Sequence, residues 1–156
     1  MNRQSAKTKR YERLYNQIQE LTTPVQNPIS RMATIAAVLH HKQPLFFWTG
    51  FYLLDETGNL MVGPYQGPVA CLKLSKDSGV CREGIKRAAP VVVEDVEKFP
   101  GHIACDSRSK SEIVVPLKNS TGEIAGVIDI DSDKLNSFDQ TDAIWLERII
   151  ALVFQR

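Results

Sequence analysis

The stretch that most constrains the fold is "SEIVVPLKN", residues 111–119, followed by "GEIAGVIDIDSD", residues 122–133. These are two β-rich runs split by turn residues at Ser120 and Thr121. Side chains alternate along a strand, so Ile113, Val115 and Leu117 share one face of the first run and Glu112 and Val114 the other. In the second run, Ile128 and Ile130 oppose Val127, Asp129 and Asp131. A short turn pairs the runs antiparallel, and matching the apolar faces sets the register. Pairing Ile113 with Ile128 puts Glu112 opposite Asp129 and diagonal to Asp131. Three carboxylates then share one face, with cross-strand Cβ separations of about 5 Å. Like charges that close resist full ionisation, so one acid is expected to keep a proton near neutral pH. Such a cluster can donate a proton and also bind a cation. A solvated sheet face is the plainer alternative, and the chemical reading is preferred because Glu112 lies seven residues from Cys105.

The rest of the chain builds around this pair. "YERLYNQIQEL" places Leu14, Ile18 and Leu21 at helical spacing, and the prolines of "TTPVQNP" end that helix. A second helix is expected with Ser30 as its cap and Met32, Ile35, Ala36 and Leu39 on one face. "PLFFWTGFYLLD", the turn "ETGN" and "LMVGPYQGP" read as a hairpin. "ACLKL" is ambiguous, "REGIKRA" fits a short helix, "PVVVEDV" a buried strand, and "FDQTDAIWLERIIALVFQR" a capped, apolar-rich helix. The expected fold is α+β, a mainly antiparallel sheet flanked by N- and C-terminal helices. Its N-terminal helices span about 8–40, the core about 40–142 and the C-terminal helix about 138–155.

A chain of 156 residues, 43% hydrophobic, has enough core for one domain. A net charge of +1 offers no electrostatic ground for nucleic acid or an anionic membrane, and the basic first turns read as a solvated helix start. "MNRQSAKTKR" lacks the apolar centre of a secretion signal, and no apolar run approaches the roughly 20 residues that span a bilayer. A cytoplasmic location is expected. The "AIWLERIIALVF" stretch is apolar around more of its circumference than a one-sided helix needs. That raises the expectation of a homodimer, although a helix packed between sheet and N-terminal helix would look the same.

Three cysteines are an odd count and lack CxxC spacing, and structural disulfides are rare in reducing compartments. Cys105, in "FPGHIACDSR", sits in a loop. As a metal ligand it would need partners at suitable spacing, and none is arranged so; no metal is expected. A hydrolytic nucleophile would need a base and an oxyanion site beyond His102. A redox thiol needs a partner cysteine, and Cys71 and Cys81 are both available. Simple burial is the remaining alternative. Trp48 and Tyr52 project together with Gly50 between them, as core packing or as the wall of a pocket for a small apolar group such as an S-methyl.

The runs "FWTGFYL", "GPYQG" followed by "AC", "GVC", "FPGHIACD", "SEIVVP" and "GVIDIDSD", in this order, resemble the free methionine-(R)-sulfoxide reductase family, whose fold is a single GAF domain. The resemblance covers about residues 40–142. It implies reduction of free L-methionine-(R)-sulfoxide by a thiolate, sulfenic acid and disulfide sequence. No cofactor is bound; thioredoxin is the external reductant, supplied from NADPH through thioredoxin reductase. By "GHIACD", Cys105 takes the place of the nucleophile. Cys71 takes that of the principal resolving cysteine and Cys81 that of a further one. Glu112 and Asp131 are then candidates for proton transfer, and Glu112, Asp129 and Asp131 for binding the substrate ammonium. Trp48 and Tyr52 would line the pocket, Trp48 against the S-methyl group. The sequence departs from the family after Cys81, where "REG" follows. His102 reads as a loop-shaping residue. Two other classes share these residues: a GAF module that senses a ligand without turnover, and a thiol sensor of peroxide.

Overall fold

The computed structural model describes residues 2–102 and 105–156. Its helices are α1 (Arg3–Thr22), α2 (Pro28–Lys42), α3 (Val80–Arg87) and α4 (Gln140–Ile150). Its strands are β1 (Trp48–Leu54), β2 (Leu60–Gln66), β3 (Lys73–Leu74), β4 (Val91–Val93), β5 (Ser111–Lys118) and β6 (Ile124–Ser132). They form one sheet in the order β3-β2-β1-β6-β5-β4, each neighbouring pair antiparallel. The α+β architecture is the expected one.

Helix boundaries follow their caps. Asn2 starts α1 by accepting from the Ser5 N–H at 2.8 Å. Asn27, and not the expected Ser30, caps α2: its Oδ1 accepts from the Ser30 N–H at 3.0 Å, and Pro28 takes the first helical position. A proline there loses no hydrogen bond, so only Pro24 acts as a breaker. A capping box of Asp139 and Asp142 opens α4. That helix stops at Ile150, short of the expected 155, and beyond it the carbonyls of Leu152, Val153 and Gln155 turn to the buried Arg31 guanidinium.

One face of the sheet, carrying Phe51, Ile113, Val115, Leu117, Ile128 and Ile130, is buried by α2 and α4, and α1 packs on those two helices in the same core. The wide apolar circumference of α4 is used inside the chain: Leu146 and Ile149 join this core, and Trp145 stacks on Tyr11 with ring centres 6.2 Å apart. The feature that suggested a second copy is therefore accounted for by the packing alternative.

The β5–β6 register departs from expectation by two residues. Ile113 pairs with Ile130, not Ile128, and Glu112 lies opposite Asp131, not Asp129. Two local features add one residue each. The turn is a three-residue loop, closed by the Asn119 N–H donating to the Glu123 carbonyl at 2.8 Å. A bulge then leaves Ala125 unpaired between the Leu117–Gly126 and Lys118–Ile124 pairs. Because strand faces repeat every two residues, a slip of two keeps every side chain on its expected face.

Candidate active site

The acids stand on the face of the sheet away from the three long helices. Asp131 lies opposite Glu112 of β5 on one side and Trp48 of β1 on the other; Asp129 lies between Val114 and Gly50. Helix α3 covers them. Its Gly84, in the "REG" run, approaches β5 so closely that a Cβ there would stand 2.8 Å from Val114 Cγ1. This approach seats Cys81, one turn earlier, against the acids. Donor atoms of Cys81, Glu112 and Asp129, all buried, lie within 4.8 Å of one another, and they are the group among the described residues able to share a metal ion.

Glu112 is 5% and Asp129 6% exposed. Among the described residues, Glu112 Oε2 and Asp129 Oδ1 have no hydrogen-bond partner. Burial, then the charges of Asp129 and Asp131, hold Glu112 well above the ordinary carboxylate range. Burial also raises Asp129, but side-chain hydrogen bonds from Glu112 and Cys81 oppose the rise. Every effect on Glu112 pushes its pKa up, whereas the rise of Asp129 is opposed, so of this pair Glu112 is the better placed to hold a proton and Asp129 the charge. Asp131, half-buried, is raised by burial and by Asp129 and Asp106. Burial and the neighbouring acids keep Cys81 a neutral thiol. His102 places Nδ1 3.7 Å from Glu112 Oε2, beyond a hydrogen bond, and burial lowers its pKa, leaving a neutral ring at neutral pH.

Trp48 and Tyr52 share this face as expected, their ring centres 5.7 Å apart, and Tyr65 of β2 adds a third ring 5.3 Å from Trp48. The space expected at Gly50 is filled. The Trp48 ring lies across it, with Cη2 2.6 Å from where a Cβ would stand, and Tyr65 closes on it as well. The polar ends of these rings have a role the sequence reading missed. Trp48 Nε1–H donates to the Pro68 carbonyl and the Tyr52 hydroxyl to the Cys71 carbonyl, each at 3.0 Å. Together they hold the segment that carries Cys71.

Cys71 and Cys105 are joined by a disulfide, with Cα atoms 5.6 Å apart. Cys105 is exposed, whereas Cys81 is a buried free thiol. Next to Cys105, Asp106 accepts from Arg108 Nε and a terminal guanidinium nitrogen at 3.0 and 2.7 Å, which hold its pKa down to about 2. Arg108 also lies over the Phe47 ring, 4.8 Å from its centre, so this segment is tied to the start of β1. Trp48, Tyr52, Cys81, Cys105, Glu112, Asp129 and Asp131 line one cavity; Cys71 joins through its disulfide. His102, Asp106 and Ser109 also line it and were not proposed as site residues from sequence, although they share the Cys105 segment. The cavity has a volume of about 50 Å³, enough for a few waters in this oxidised form.

Residues 47–154 match the GAF domain family. The chain is 49% identical over 148 residues to GAF domain-containing protein A of Dictyostelium discoideum, covering 95% of this chain and 92% of that protein. It is 37% identical over 147 residues to the free methionine-R-sulfoxide reductase of Escherichia coli (strain K12), covering 93% and 87%. The X-ray structure of free methionine-R-sulfoxide reductase from Neisseria meningitidis in complex with its substrate superposes with a TM-score of 0.87 at 40% identity, over 92% of this chain and 85% of that one.

Proposed function

This chain belongs to the GAF domain family and, within it, to the free methionine-R-sulfoxide reductases, and from that premise we propose that it reduces free L-methionine-(R)-sulfoxide to L-methionine with Cys105 as nucleophile. The observation that carries the reading is a disulfide-forming cysteine pair at a pocket floored by buried acids, one of which keeps its proton.

The cycle starts from the reduced pair. Cys105 thiolate attacks the sulfoxide sulfur while Glu112 gives its proton to the sulfoxide oxygen, lowering the barrier to S–O cleavage. The hydroxyl then moves from the substrate sulfur to Cys105 Sγ as the S–S bond made by the attack breaks, leaving a sulfenic acid on Cys105 and releasing methionine. The Cys71 thiol condenses with that sulfenic acid, forming the disulfide and releasing water. Two thiols are thereby oxidised for one sulfoxide reduced. A dithiol partner restores them by exchange, and we assign this role to thioredoxin, charged from NADPH. Electrons travel through cysteines alone, so the chemistry needs no bound cofactor.

Binding follows from the same acids. Asp129, the ionised member, receives the α-ammonium of a free amino acid, with Asp131 beside it. A peptide-bound residue has no such ammonium and leaves that charge unpaired in a buried site, which disfavours it strongly. Trp48 offers its ring to the S-methyl group. We assign resolution to Cys71, since Cys81 lies beneath the acids and acts as a neighbour of Asp129. A thioredoxin-dependent cycle fits the cytoplasm; no helix among the described residues is long and apolar enough to cross a membrane.

The test is NADPH oxidation coupled through thioredoxin, with the free (R)-sulfoxide, the free (S) epimer and a peptide-bound (R)-sulfoxide, for the native protein and Cys105→Ser. Turnover confined to the free (R) form and lost in Cys105→Ser is expected. Binding without turnover would point instead to a ligand sensor. Peroxide-driven disulfide formation indifferent to Glu112→Gln, with no sulfoxide turnover, would point to a redox sensor.

A further inference from the structure

The acid cluster contains a thiol that the cycle above does not oxidise. We propose that Cys81, Glu112 and Asp129 form a binding site for a thiophilic divalent cation, zinc foremost, and that the ion blocks the pocket. The blocking rests on the function proposed above; the ion site itself does not. Three buried donors of the right kind already lie within 4.8 Å of one another. Zinc draws sulfur to about 2.3 Å and oxygen to about 2.0–2.2 Å, so rotations of side chains suffice to close a tetrahedral site. Glu112 Oε2 and Asp129 Oδ1 are buried and unpartnered, so each keeps an acceptor that no donor among the described residues satisfies. His102 Nδ1 stands 3.7 Å from Glu112 Oε2 but outside the three-donor group, so water takes the fourth position. A thiolate with carboxylates selects zinc or cobalt over magnesium and calcium, which prefer all-oxygen shells. Binding displaces the protons of Cys81 and Glu112. It also occupies both the proton donor and the ammonium-binding acid, so sulfoxide is excluded.

The oxidised protein isolates the site. With three cysteines in the chain and Cys71–Cys105 closed, Cys81 is the remaining thiol. Cobalt(II) titrated into this form, after a thiol count of one per unfolded chain, should give a thiolate-to-cobalt charge-transfer band in the near ultraviolet at one equivalent. Zinc should abolish the band and magnesium should not. Cys81→Ser should lose the band and weaken cobalt binding by about tenfold or more. Absence of the band from the native oxidised protein, its survival in Cys81→Ser, or its displacement by magnesium overturns the proposal. In a single turnover of pre-reduced, desalted protein, zinc should slow methionine formation at least about tenfold in the native chain, and Cys81→Ser should be far less sensitive. Equal sensitivity overturns the blocking. Turnover without added metal tests the reductase separately, so either reading can fail while the other stands.

Discussion

Two buried carboxylates lie on opposite sides of the sheet and are treated in opposite ways. Asp142 of α4, 2% exposed, accepts from the Tyr11 hydroxyl at 2.6 Å and from the Asp139 N–H at 2.8 Å, and it pairs with Lys7. Glu112 of β5, 5% exposed, keeps an oxygen without a partner. Arg31 repeats the first pattern, its guanidinium donating to carbonyls of the α1–α2 connection and the C-terminal turn. On the helical side, buried charge closes the fold because each group is saturated within the chain. On the α3 side it is left open, at a desolvation cost that a ligand can recover. Burial alone therefore does not distinguish a structural charge from a functional one; the difference is whether the chain supplies the partner.

Substitutions on the two sides should separate stability from activity. The largest effect belongs to Cys105→Ser, with turnover falling roughly 10⁴-fold or more. Its thermal midpoint should match that of the reduced native protein, because closing the Cys71–Cys105 bridge, with a separation of 34 residues, stabilises the oxidised form by roughly 4 kcal/mol. Calorimetry with reductant present checks this. A midpoint well below that of the reduced native chain would make Cys105 a structural residue as well.

Glu112→Gln comes next, with kcat lower by about 10²–10⁴-fold and no loss of stability. The pH dependence gives its signature. Glu112 binds its proton more tightly folded than unfolded, so its contribution is fully present below the unfolded value near 4.5 and is lost as pH rises toward the raised folded value. The stability of Glu112→Gln relative to the native protein should therefore increase with pH above that point. Denaturant titrations at several pH values measure the trend; the opposite slope would mean Glu112 is ionised in the folded state.

Asp142→Asn should invert the pattern. It leaves Lys7 and Tyr11 without their acceptor and should cost about 3 kcal/mol, with kcat per folded molecule unchanged. A large loss of kcat there would show that the two sides are coupled. The smallest effect is expected for Trp48→Phe, which keeps a ring in the stack but removes the bond to Pro68. Losing about 1 kcal/mol of restraint should slow Cys71–Cys105 bond formation about fivefold, as read by the thiol remaining after a single turnover.

Much of this contrast was legible from strand periodicity. Ile113 and Ile130 had to face one way and Glu112, Asp129 and Asp131 the other, because alternation on a strand is a property of the backbone. Short motifs around Cys71, Cys81 and Cys105 pointed to the thiol chemistry. The register was not legible. A three-residue loop and the bulge at Ala125 depend on turn geometry, and an even slip leaves the hydrophobic pattern unchanged. Nor was the role of Trp48 and Tyr52 as anchors of the Cys71 segment, since it depends on β2 folding back across Gly50.

The sequence by itself determined which residues face the site, the helices and strands other than β3 in the ambiguous "ACLKL" run, and the family chemistry, since these rest on local periodicity and short motifs. Tertiary structure alone decided how the acids differ in environment, because the opposition to the rise of Asp129 depends on α3 descending at Gly84 to bury Cys81 against it. It also joined Cys71 to Cys105, the pairing the family resemblance implied, and decided that Cys81 is buried away from them against the acids. Both outcomes turn on distances of a few ångströms between segments far apart in the chain, and those distances are set only when the sheet and its covering helix pack together.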